Sequence, residues 1–162
     1  MGFLLATVPH SGSRIVANRM NCKPGIQDEC NPLPRWGHLW EEVMVYLTES
    51  SAPVFSTWRD PLAVAVSWEV RYENDRGVQL AKLKADNPAP FYARLLELRR
   101  RRPVGFFDMR FFQNGHYASP HHRLKQAYAE RDIKTIERTI PESLNALREI
   151  RWDDFATEMW WR

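Results

Sequence analysis

Phe3-Leu4-Leu5-Ala6-Thr7-Val8-Pro9-His10-Ser11-Gly12-Ser13-Arg14 joins an apolar run directly to a turn of small residues. Phe3 to Val8 predicts a buried strand, and Arg14 to Met20 carries enough helical character for two turns. The stretch is therefore a strand, a tight turn and a helix. Gly12 lets the backbone approach a ligand closely, and the first helical N–H groups carry unpaired partial positive charge. Ser11 and Ser13 add hydroxyl donors, and Arg14 adds a fixed charge. The segment reads as an anion-binding turn, although an ordinary β-to-α connection has the same outline. A nucleoside triphosphate loop of the GxxxxGK[ST] type needs a second glycine and a lysine, and neither is present.

Working outward, the chain alternates between the two periodicities. Asn21 to Pro34 contains Pro24, Gly25, Pro32 and Pro34 and predicts a loop. Leu39 to Thr48 predicts a helix, Ala52 to Trp58 a second strand, and a longer helix starts at Pro61. Phe91 to Arg102 forms a helix that Pro103 ends, and Val104 to Met109 supplies a third strand. The remainder is mostly helical, with packed helices over His121 to Glu130 and Pro141 to Ile150 and an aromatic tail of Trp152, Phe155, Trp160 and Trp161. Strands alternating with helices predict an α/β fold: a mainly parallel central sheet flanked by helices in three layers. Ligands then bind beyond the carboxyl ends of the strands.

A second corner repeats the first. Ser56-Thr57-Trp58-Arg59-Asp60-Pro61 leads into Leu62-Ala63-Val64-Ala65-Val66-Ser67-Trp68. Asp60 is a good N-cap and Pro61 suits the first helical position, so Arg59 falls at the carboxyl end of its strand. A planar guanidinium there matches phosphate oxygens bidentately, and Ser67 can add a hydrogen bond two turns along the helix. The plainer alternative is a surface Arg59 paired with Asp60.

Composition sets the bounds. A chain of 162 residues, 44% hydrophobic, predicts one domain over residues 1–162. No apolar run is long enough for a membrane span or resembles a secretory leader. Met1-Gly2 lacks the Ser or Thr that a myristoylation pattern wants at Ala6. Cys22 and Cys30 have no zinc-ligand spacing and read as free thiols, which sets the expectation of a cytoplasmic protein. The net charge of +3 comes from 23 basic and 20 acidic residues, interleaved too evenly for a nucleic-acid face. A small anion suits that balance better.

The two corners together resemble the sulfotransferases that use 3′-phosphoadenosine 5′-phosphosulfate. Pro9-His10-Ser11-Gly12-Ser13-Arg14 resembles their Pro-Lys-Ser-Gly-Thr-Thr loop for the 5′-phosphosulfate. Arg59, Pro61 and Ser67, the serine eight positions after the arginine, resemble the Arg-x-Pro motif that holds the 3′-phosphate. The matched motifs cover under half of the chain. The resemblance implies a compact version of the P-loop-related sulfotransferase fold. It also implies transfer of a sulfuryl group to a hydroxyl or amine of a small-molecule or glycan acceptor, with adenosine 3′,5′-bisphosphate as product and no metal. His10, Ser11, Gly12, Ser13, Arg14, Arg59 and Ser67 become the donor-binding residues. The family's short His-Leu motif falls on His38-Leu39, 21 residues before Arg59, and makes His38 the candidate general base, since imidazole titrates near neutrality. Glu41 and Glu42 are the alternatives, because some glycan-modifying relatives use glutamate.

Departures from the pattern matter equally. His10 stands where the family has a lysine that supports the leaving oxygen, so His10 and Arg14 share that role. Ile15 stands where many members stack an aromatic ring on adenine, and the C-terminal Arg-Lys-Gly loop is not evident. Two rival functions therefore stand beside the enzyme: a catalytically silent nucleotide-binding protein, and a P-loop kinase or hydrolase. Elsewhere, Arg99 to Arg102 read as a solvated helix end. His116, His121 and His122 lack a carboxylate or cysteine to complete a metal site.

Overall fold

The computed structural model describes residues 2–26, 34–74, 87–109, 123–153, 155 and 158–162. The chain forms two compact units, Met1–Arg59 with Pro90–Phe111 and Asp60–Ala89 with Phe112–Arg162.

The first unit is built around β1 (Leu4–Thr7), whose Leu4, Leu5 and Ala6 are wholly buried. An unbroken apolar run is what a strand covered on both faces requires. Its neighbours are β3 (Arg35–His38) and β4 (Val54–Trp58). The outer strands are β2 (Lys23–Pro24) and β5 (Val104–Asp108), in the order β2-β3-β1-β4-β5. All four pairings are parallel, with Thr7 beside His38 and Leu5 beside both Trp36 and Phe55. This is the α/β fold with a parallel central sheet that the alternating pattern predicts.

Helices cover both faces of this sheet. On one face Val16 and Ala17 of α1 (Ser13–Arg19) pack with Leu5 and Met109, flanked by Phe3, Trp36, Phe55 and Phe107. On the other, Tyr92 of α4 (Ala89–Arg101) meets the Trp58 ring edge-on at 5.8 Å. Arg94 of α4 donates to the carbonyl of Leu39, at the start of α2 (Glu41–Glu49), at 3.3 Å. Handedness explains the split: the chain leaves β1 toward β3 through α1 and returns across β1 to β4 through α2, so right-handed crossovers place α1 and α2 on opposite faces.

Two strands correct the sequence reading, which placed Lys23–Pro24 in a loop and left Arg35–His38 without an element. Arg-Trp-Gly-His has no β-branched residue, and Trp36 alone is too weak a strand signal. Main-chain pairing makes it a strand: the Arg35 N–H donates to the Phe3 carbonyl at 3.2 Å, and the Lys23 N–H to the Pro34 carbonyl at 3.0 Å. The buried Arg35 guanidinium then ties down the adjoining turn, donating to the carbonyls of Gly25 at 2.6 Å and Pro24 at 2.5 Å.

The second unit is helical: α3 (Pro61–Asn74), α5 (Arg123–Ala129), α6 (Ile133–Thr139) and α7 (Pro141–Glu149). Asp60 caps α3 as predicted, accepting from the Leu62 N–H at 3.1 Å. The same carboxylate accepts from the Trp161 indole at 2.6 Å and the Tyr128 hydroxyl at 2.5 Å. Trp152 and Trp161 are almost fully buried and cross edge to face at 6.3 Å. Trp152 and Trp161 of the aromatic tail are therefore core, while Phe155 and Trp160 are half-buried. No helix among the described residues is long and apolar enough to cross a membrane.

Candidate functional site

Parallel sheets bind ligands where the chain's connections diverge, at the carboxyl ends of two neighbouring strands. Here those strands are β1 and β4: the connection from β1 runs toward β3, and that from β4 runs toward β5. The turn after β1 and Arg59 after β4 both lie at this point.

The turn has a defined shape. The Ser11 N–H donates to the Val8 carbonyl at 3.3 Å, closing a four-residue turn with Pro9 and His10 at its corners. His10 has φ 62°, the value a type II turn requires at its third position, where glycine is the usual occupant. Gly12 follows with φ 86° and caps α1, accepting at its carbonyl from the N–H groups of Ile15 at 3.1 Å and Val16 at 3.3 Å. The N–H groups of Gly12, Ser13 and Arg14 take no acceptor among the described residues, as the opening turn of a helix dictates. A Cβ on Gly12 would come within 2.7 Å of the Met109 methyl, so the residue that follows β5 closes the back of the turn.

The Arg59 guanidinium meets this turn directly, its Nη1 donating to the His10 carbonyl at 2.8 Å. Tyr92 holds the Arg59 backbone from the other side, its hydroxyl donating to the Arg59 carbonyl at 3.0 Å. The two corners singled out in the sequence thus converge in the first unit. The Ser11 hydroxyl is fully buried, donates to the Val8 carbonyl at 2.5 Å and is hydrogen-bonded to Thr57 Oγ1. It pins the turn to β4 and presents no donor outward. Ser13 is buried at the start of α1, and Arg14 beside it is exposed.

His38 ends β3, one strand to the other side of β1. Its Nδ1 lies 3.2 Å from Thr7 Oγ1, and its ring stands edge-on between Trp36 at 5.4 Å and Trp40 at 6.2 Å. Burial pushes its pKa below the ordinary 6.5; a hydrogen bond with the Thr7 main chain works the other way, and the Arg14 charge adds to the lowering. Neutral imidazole is thus the form present at pH 7. Glu41 and Glu42 are exposed in the first turn of α2, where Glu41 pairs with Arg94 at 3.5 Å. Ser67 belongs to α3 of the second unit, and His116, His121 and His122 lie outside the described residues.

Sequence reasoning missed Thr7, Thr57, Trp36 and Met109, which shape the site from behind. Their only signal was position, in or just after strands, and for Trp36 that signal needed β3. No family model matches the chain, and neither the curated proteins nor the solved structures offer a match.

Proposed function

We propose that the protein is a sulfotransferase that moves a sulfuryl group from 3′-phosphoadenosine 5′-phosphosulfate to a hydroxyl or amine of a small-molecule or glycan acceptor. The observation that carries the reading is the 2.8 Å contact between Arg59 Nη1 and the His10 carbonyl, which joins the two resembling motifs at the strand ends where parallel sheets take ligands. The unengaged N–H groups of Gly12, Ser13 and Arg14 offer three donors for the 5′ end. Arg59 offers a planar fork for the 3′-phosphate. Ser67 belongs to the second unit, and its part rests on its spacing in the sequence alone.

The bound donor supplies the sulfuryl group. Neutral His38 takes the acceptor proton as the acceptor oxygen bonds to sulfur and the bond from sulfur to the bridging phosphate oxygen breaks. His10 and the exposed Arg14 face the charge that develops on that oxygen. A lysine at position 10 would carry that charge at every working pH. Histidine does so only when protonated, which makes Arg14 the constant source.

Thermal-shift measurements with adenosine 3′,5′-bisphosphate, ATP with magnesium, and AMP test the reading, because a ligand that prefers the native state raises Tm. Selective stabilisation by the bisphosphate is expected, lost in Arg59→Ala and weakened in Arg59→Lys. A preference for ATP with magnesium would point to a kinase or hydrolase instead. Bisphosphate binding without sulfate transfer to any acceptor would point to a silent nucleotide-binding protein.

A further inference from the structure

The last residues of β1 and β3 form a closed set of hydrogen bonds around one hydroxyl. Thr7 is fully buried and stands beside His38 in the parallel register. Its Oγ1 accepts from the Trp36 indole at 3.1 Å, donates to the Gly37 carbonyl at 3.4 Å and lies 3.2 Å from His38 Nδ1. A threonine hydroxyl has one proton to give and two lone pairs. With its proton on Gly37 and one lone pair on Trp36, the remaining lone pair faces Nδ1 and requires that nitrogen to donate. The opposite arrangement turns the Thr7 proton to Nδ1 and gives up the bond from Thr7 to the Gly37 carbonyl.

We propose that Thr7 is a positioning residue that, braced by Trp36 and Gly37, fixes His38 as the Nδ1–H tautomer and leaves Nε2 as its bare, proton-accepting nitrogen. Which ring nitrogen holds the proton is set by the partner of the other, and here that partner is a threonine hydroxyl rather than a carboxylate. With no carboxylate beside it among the described residues, the imidazolium gains no anionic support from them, and burial keeps the resting ring neutral. The proposal rests on the reading of His38 as the base, but the tautomer itself is measurable without turnover.

The test is the imidazole ¹⁵N spectrum of ¹⁵N-histidine-labelled protein at about pH 8, with His38 assigned by His38→Gln. The expected result is a protonated Nδ1 and a bare Nε2, lost or mixed in Thr7→Val and restored in Thr7→Ser. Trp36→Phe, which leaves the hydroxyl in place, should weaken the preference without abolishing it. An Nε2–H ring in the parent protein overturns the proposal, as does a Thr7→Val protein that keeps the parent spectrum. If Thr7→Val does not fold, the parent spectrum and the Trp36→Phe spectrum still decide. Bisphosphate-induced stabilisation, which does not involve His38, reports on the sulfotransferase reading separately. When transfer is assayed, Thr7→Val should lower kcat at least tenfold with KM within about twofold.

Discussion

At the scale of single residues the site depends on two left-handed positions of opposite character. His10 holds φ 62° and Gly12 φ 86°, yet only glycine adopts that region without a Cβ penalty. His10 is kept there by the turn hydrogen bond from Ser11 to Val8 and by Arg59 on its carbonyl. Substitutions at the two positions should therefore move stability in opposite directions. His10→Gly relieves the strained position and is expected to raise stability by about 1 kcal/mol. Gly12→Ala should lower stability by about 1–2 kcal/mol, since the Met109 methyl at 2.7 Å can shift but the backbone angle cannot. Urea unfolding of both variants checks this, and a loss of stability in His10→Gly would contradict it. The sequence marked both residues as part of a turn, from Pro9, Gly12 and the small residues around them. It gave no sign that His10 is left-handed, because that depends on an arginine 49 positions away.

At the scale of elements, legibility followed the source of each element's stability. β1 and β4 bury apolar or aromatic side chains, β5 half-buries Val104, Phe106 and Phe107, and α2, α3, α4 and α7 carry apolar faces with proline or an acidic residue at their starts, so their residues announce them. β3 draws on main-chain pairing with β1, and β2 on pairing with β3, so neither was visible in its own letters. The arginine run at the end of α4 shows the same limit. Charge pattern made Arg99 to Arg102 a solvated terminus, and Arg101 does sit in an exposed ion pair with Glu97 at 2.5 Å. Arg102 instead turns back as a clamp. It donates to the carbonyls of Leu47 at 2.8 Å, Ser50 at 2.5 Å and Ala52 at 2.5 Å, tying the end of α2 to the entry of β4. A guanidinium can serve three acceptors in one plane, and an ammonium cannot match that fork. Arg102→Ala should cost about 2–4 kcal/mol, and Arg102→Lys should recover less than half of it. The readout is the urea midpoint; equal stability of Arg102→Lys and the parent would show that charge alone suffices.

At the scale of the whole molecule, titration links the candidate site to folding. The folded His38 has a pKa below the ordinary 6.5, with burial the largest cause, while the unfolded chain keeps the ordinary value. Above 6.5 both states are neutral there and the contribution to stability is fully present. As pH falls below 6.5 the unfolded chain binds a proton that the folded ring refuses, so stability drops until the lower folded pKa is passed. Asp132 acts in a separate window. Hydrogen bonds from the Thr135 side chain and main chain hold its carboxyl below the ordinary 3.8. Its contribution is therefore present above 3.8 and lost as pH falls through the folded value. Urea midpoints of the parent should decline between about pH 7.5 and pH 5.5, and His38→Gln should decline less over the same interval. Asp132→Ala should track the parent's slope there and differ from it only below about pH 4. A His38→Gln protein with the parent's slope between neutrality and pH 5.5 would mean that the folded ring accepts its proton as readily as the unfolded one. The proposal that His38 serves as a neutral base would then have no support from its surroundings.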